Sequence, residues 1–272
     1  MDQNKLINRK DTIANESILP VTDSPFQGTI KISILYDNYQ VASDTQAAWG
    51  FSCLVAGFSN TLMFDTGGDG EILGRNMEIM HKHRVTLDSV VISHNHWDHV
   101  GGWHYVRSHL SPHILYLPFE PNAELKNETE SHGVVIKYHQ NPVKICDHVY
   151  LSGTIGDDPP EQSLILNTQN GLVIITGCAH PGILTIIDRI KTLFTSEIRL
   201  IIGGFHLKSC HEEELRAIAT QMKIRGVLAC GPTHCSGDLT RNIFHDQFKN
   251  NYFSLGTGVE LWLSPNQLSM NI

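Results

Sequence analysis

The chain has no apolar run approaching the roughly 18 residues that a membrane-spanning helix needs, so no transmembrane segment and no membrane partner are expected. It also lacks positive charge: 20 Lys and Arg stand against 28 Asp and Glu, a formal net charge of -8. A general nucleic-acid binder neutralises phosphates with clustered cations, and this balance argues against one. The six cysteines, at 53, 146, 178, 210, 230 and 235, form no C-x-x-C pair and no compact disulfide spacing. Neither a paired-thiol redox motif nor a disulfide-stapled scaffold is expected, and reduced thiols in a cytoplasmic setting are the simpler reading. No long apolar segment follows Met1-Asp2-Gln3-Asn4-Lys5-Leu6, so no signal peptide is expected.

What the chain does have is apolar patterning and histidine. A hydrophobic fraction of 41% suffices for a substantial core, and 16 histidines require each candidate to be justified by position. Residues 1–27 are polar, carry Pro20 and Pro25, and read as an N-terminal lead-in. From Gly28 onward, strand patterns appear over 28–36, 51–57, 61–64, 88–93, 113–117, 133–138, 163–168, 171–176, 199–202 and 226–230. Helical patterns cover 70–83, 103–110, 183–194, 212–224 and a segment ending near Phe248. The Asn- and Glu-rich stretch 122–132 reads as a loop and a candidate substrate lid. Hairpins in each half, with helices between strands, predict an α/β fold of two mixed sheets with helices outside. No linker divides 28–272, which is read as one domain.

One stretch concentrates the chemistry. Ser93-His94-Asn95-His96-Trp97-Asp98-His99-Val100-Gly101-Gly102 follows the apolar Val90-Val91-Ile92, so it sits where a strand empties into a loop. Side chains alternate along an extended segment, so His94 and His96 point the same way and can share one ion. Asp98 and His99, where a helix begins, point elsewhere and suit a second ion, since paired metals are a recurring hydrolytic device. Other strand ends carry further candidates. Cys178 follows 171–176, His206 closes Gly203-Gly204-Phe205-His206, and His180 and His234 lie in tight loops where they could ligate, donate protons or anchor substrate. Asp65, after Met63-Phe64, is a candidate for orienting a ligating imidazole.

The motif His94-Asn95-His96-Trp97-Asp98-His99 resembles that of the metallo-beta-lactamase superfamily. The resemblance implies a four-layer αββα sandwich with metals at one edge between the sheets. It implies His94, His96, Asp98 and His99 as ligands, Cys178 at a place often taken by a bridging Asp, and His206 as the last histidine. The superfamily usually supplies one more histidine before the strand at 164–166, but here Asp157-Asp158-Pro159-Pro160-Glu161-Gln162-Ser163 has none. Glu161 or Asp158 could substitute as an oxygen ligand, which would favour harder ions such as Mn or Mg over Zn, with Fe also open. Together with Asp37-Asn38, Phe64-Asp65-Thr66-Gly67, Thr176-Gly177-Cys178-Ala179-His180-Pro181-Gly182 and Pro232-Thr233-His234-Cys235-Ser236-Gly237, the set is similar to the branch that includes 7,8-dihydropterin-6-methyl-4-(beta-D-ribofuranosyl)-aminobenzene-5'-phosphate synthase.

Three functions follow. The first is a hydrolase of a small, anionic ester or phosphoester with one or two divalent ions, in which Asp98 orients water and His180 or His234 protonates the leaving group. The second, implied by the resemblance, is a synthase-like transferase releasing pyrophosphate. The third is a non-catalytic sensor, motivated by the missing histidine. Oligomeric state is open, a homo-oligomer included.

Overall fold

The computed structural model describes residues 21, 23–265 and 267–271. Most of the lead-in, residues 1–20 and 22, lies outside the described residues. Of the rest, Val21 N donates to Leu193 O and Phe26 N to Asn167 O, each at 2.9 Å.

In chain order the elements are β1 (Ile30–Tyr36), β2 (Ser52–Ala56), β3 (Leu62–Phe64), α1 (Gly70–Ile79), β4 (Ser89–Val91), α2 (Trp97–Val100), α3 (Trp103–His109), β5 (Ile114–Leu117), α4 (Ala123–Ser131) and β6 (Val135–Tyr138). There follow β7 (Val143–Cys146), β8 (Val149–Leu151), β9 (Leu164–Thr168), β10 (Gly171–Thr176), α5 (Ile183–Leu193), β11 (Ile198–Gly204), α6 (Glu212–Ile224), β12 (Cys230–Thr233), α7 (Asp238–Phe248), β13 (Glu260–Ser264) and β14 (Gln267–Asn271). Eight strands form one sheet in the order β14-β13-β1-β2-β3-β4-β5-β6, and six form the other as β12-β11-β10-β9-β8-β7.

Alternation along each strand explains the layering. In β10, Val173 and Ile175 join Ile32, Ile34, Val55, Leu164 and Ile202 in a core drawn from both sheets. Leu172 and Ile174, one step out of phase, face α5, α6 and α7. The helix α5 meets them with Ile183, Ile186, Ile187 and Ile190, the three- and four-residue spacing of one helical face. On the far side α1 and α3 cover the eight-stranded sheet through Leu73, Met77, Trp103 and Val106. The result is an αββα sandwich, and each fully buried aliphatic side chain in it contributes roughly 1.5–3 kcal/mol.

Two expectations change. The stretch 122–132 is not a loop: it holds α4, capped by Asn122 Oδ1 accepting from Leu125 N at 2.8 Å. Only Leu125 and the buried Thr129 face inward along most of its length, so the helical period was too thin to read. The strand expected over 226–230 lies instead at β12, through Gly231 and Pro232. It is the edge of the six-stranded sheet, where proline's missing N–H costs no ladder bond.

The topology places one edge apart. Strands β3 and β4 run parallel, as do β10, β11 and β12. The chain segments leaving these strands carry Asp65, His94, Cys178, His206 and His234, so donors distant in sequence meet where the carboxyl ends of both sheets adjoin.

Candidate metal centre

The two sheets approach closely at this edge. A Cβ on Gly177 would lie 2.0 Å from Ser93 Oγ, so only glycine lets the end of β10 pass the end of β4. Four overlapping groups of donors result, each with ligand atoms within 4.8 Å of one another: His94–His96–His180, His94–His99–Cys178, Asp98–His99–His234 and Cys178–His206–Cys235.

Around the motif, His94 Nε2 lies 3.0 Å from His96 Nδ1, and the buried His94 turns Nδ1 to Ser93 Oγ at 2.9 Å. Asp65 ties the loop together. Its Oδ1 accepts from Ser93 N at 2.6 Å, and its Oδ2 accepts from Ser93 Oγ and meets His99 Nδ1, both at 2.7 Å. A carboxylate at Nδ1 makes that nitrogen the donor and leaves His99 Nε2 with its lone pair, 3.3 Å from Cys178 Sγ. Burial lowers His94 to about 2 and His99 to about 3, so both rings are neutral donors.

The third imidazole of the first group is His180, not a residue from 157–163. Ala179, at φ 61°, and Gly182, at φ 93°, turn the loop so that the His180 ring lies 4.6 Å from that of His94 and 4.9 Å from that of His96. Glu161 fixes this loop. Its Oε1 accepts from Cys178 N at 3.0 Å and Ala179 N at 2.7 Å, and its Oε2 accepts from His180 N at 2.9 Å and pairs with His180 Nδ1 at 3.0 Å. Both oxygens are thereby engaged, so Glu161 holds the His180 loop in place; Asp158 stays exposed. In place of a histidine before β9, the loop after β10 brings the His180 imidazole beside His94 and His96.

His234 faces Asp98. Its buried Nε2 has no hydrogen-bond partner and lies 3.3 Å from Asp98 Oδ2, close enough for charge attraction, while Nδ1 meets Asn38 Oδ1 at 2.9 Å. Burial opposes the protonated ring most strongly, but Asp98, Cys235 and Asp37 together raise the His234 pKa. Asp98 is itself held ionised, against burial, chiefly by His234. His206 stands apart from the motif, exposed at the mouth, with its ring 4.4 Å from that of His180. Cys235 Sγ donates to Cys178 O at 3.7 Å, and the two neighbouring sulfurs push the Cys178 thiol up and draw Cys235 towards thiolate. Ser93, Asn38 and Cys235 are positions that single-residue reasoning passes over, because none is an obvious ligand in isolation.

Neutral buried imidazoles, an ionised aspartate facing His234 Nε2 and a cysteine sulfur make a donor set that fits divalent metal ions. The metallo-beta-lactamase superfamily profile matches residues 50–197, which include the motif. The chain belongs to the metallo-beta-lactamase superfamily. A relative from Methanocaldococcus jannaschii, named 7,8-dihydropterin-6-methyl-4-(beta-D-ribofuranosyl)-aminobenzene-5'-phosphate synthase, is 26% identical over 281 residues, covering 84% of this chain and 95% of the relative. Among metallo-beta-lactamase folds already solved, Tm1679, described as a metal-dependent hydrolase, is 27% identical with a TM-score of 0.71, covering 86% of this chain and 99% of its own. A diphosphatase from the PhnP family, 13% identical with a TM-score of 0.59 over 88% and 98% of the two chains, shares the fold.

Behind the motif, a cavity of about 400 Å³ opens beneath α4, with Ile92, Asn95, Trp103, Leu115 and Phe119 in its walls. Among the described residues no helix is long and apolar enough to cross a membrane.

Proposed function

We propose that this protein is a metal-dependent hydrolase of a small, anionic ester or phosphoester. The observation that carries the reading is the convergence of His94–His96–His180 with Asp98–His99–His234 at one edge of the sandwich. The first triad would hold one ion and the second another, with Cys178 beside His99; nitrogen and sulfur donors favour zinc over Mn, Fe or Mg. Bound there, a divalent ion supplies Lewis acidity and brings the proton loss of water towards neutral pH. The chain's own groups do the positioning. Asp65 and Glu161 fix the tautomers of His99 and His180, and Asp98 orients water. His180 and His234, which sequence alone left open as proton donors, are assigned to ligation by this reading.

The test is hydrolysis of a bis-aryl phosphate and a lactone, assayed in parallel on metal-stripped and zinc-reconstituted protein. Turnover that returns with zinc is expected; fully loaded protein inert on both compounds overturns the reading.

A second reading rests on the synthase relative, which this chain matches over 95% of its length. In it the same residues steady a departing pyrophosphate. A diphosphate-activated pterin and an aniline acceptor distinguish the two: a coupled product supports transfer, and water-cleaved material alone supports hydrolysis.

A further inference from the structure

Two of the four donor groups account for the proposed hydrolytic site, and His94–His99–Cys178 joins them. The fourth, Cys178–His206–Cys235, is different in kind, because it brings together two sulfurs and one imidazole from three separate loops. Cys178 leaves β10, His206 leaves β11, and Cys235 sits in the turn after β12. These are neighbouring parallel strands, so successive carboxyl ends deliver one donor each.

The local backbone is shaped for this approach. A Cβ on Gly204 would lie 2.7 Å from Cys235 Sγ and 3.1 Å from Cys178 Cα, so a side chain at 204 would wedge the two cysteines apart. His206 and His234 both adopt the left-handed region, at φ 53° and 49°, which ordinary side chains enter at a cost. Cys178 and Cys235 are 4% and 7% exposed, while His206 reaches the solvent side of the group. Buried polarizable donors opening to solvent through one imidazole make a ligand set of the Cys₂His type, which soft and borderline ions prefer to hard ones.

We propose that Cys178, His206 and Cys235 form a thiophilic metal site, selective for zinc- or cadmium-like divalent ions and distinct from the two histidine- and aspartate-rich triads. Because Cys178 Sγ also lies 3.3 Å from His99 Nε2, this site touches the hydrolytic one through a single shared atom. Occupation here draws Cys178 to the sulfur side, which leaves His99 to Asp98 and His234.

The test is titration of the reduced, metal-stripped full chain with cadmium alone, following the ultraviolet charge-transfer band of cadmium–thiolate bonds. Wild type is expected to reach the intensity of two thiolates per ion, and Cys178→Ser and Cys235→Ser about half of it, one thiolate having been removed. His206→Ala should keep the amplitude and weaken cadmium binding about 10-fold or more. His96→Ala, which disables the hydrolytic triad, should keep the full band, so loss of hydrolysis and loss of this site are read separately. A wild-type band of one thiolate overturns the proposal. So does a Cys235→Ser band equal to wild type. The wild-type amplitude stands as evidence even if a variant fails to fold.

Discussion

Glu161 grips His180 at two points, its Oε2 accepting from the backbone N at 2.9 Å and pairing with ring Nδ1 at 3.0 Å. Its other oxygen takes the amides of Cys178 and Ala179. Against the upward pull of burial, these hydrogen bonds, that of His180 foremost, hold the carboxyl at about 2. Glu161→Gln puts an NH₂ where an acceptor is needed. Metal affinity is expected to fall about 10- to 100-fold, as for other groups that orient ligands. Competition against a chromogenic chelator checks this, and an unchanged dissociation constant would disprove the role.

His96 is exposed, so its removal should spare the fold. His96→Ala is expected to lose the ion of the His94–His96–His180 triad and at least about 100-fold in hydrolysis, with unchanged circular dichroism. Elemental analysis of the purified variant is the check; full metal content would remove His96 from the ligand set.

Gly177 has room for a hydrogen and nothing more, since a Cβ would sit 2.0 Å from Ser93 Oγ and 3.1 Å from Asp65 Oδ2. Gly177→Ala should destabilise the protein by about 1–3 kcal/mol through overpacking. It should also displace Ser93, so metal affinity drops with stability. A thermal melt that matches wild type would contradict the close approach.

Asp37 is fully buried, and burial lifts its carboxyl from 3.8 to about 6 against the hydrogen bonds from Thr233 and Tyr39. The folded state therefore retains a proton that the unfolded chain releases. The stability this group contributes is complete below pH 3.8 and is lost as pH rises through about 6. Asp37→Asn still accepts from Tyr39 N, and Thr233 can reverse its hydroxyl. Over that window the variant should lack a decline of about 3 kcal/mol that wild type shows. Parallel slopes in urea titrations of the two proteins would rule the assignment out.

The fold was legible where burial writes a pattern. Strands β9 and β10, wholly or almost wholly buried, read as apolar runs, and α5 as an amphipathic stripe. Edges were not. Val143–Cys146 and Gln267–Asn271 alternate only weakly because they are half-covered, and β12 hides behind a proline that an interior strand would not tolerate. The motif from His94 to His99 announced itself by spacing. The partnership of His180 with His94 and His96 depends on left-handed turns at 179 and 182, and no spacing rule encodes where such a loop delivers its side chain.

The triads His94–His96–His180, His94–His99–Cys178 and Asp98–His99–His234 each draw from both halves of the chain. A ribosome that has released only β1 to β6 has therefore delivered none of these donor sets complete. Each donor set is complete only once residue 178 or one beyond it has emerged and the two layers have met. The candidate centre is thus a product of tertiary assembly, and no fragment ending before residue 178 carries any of these donor sets.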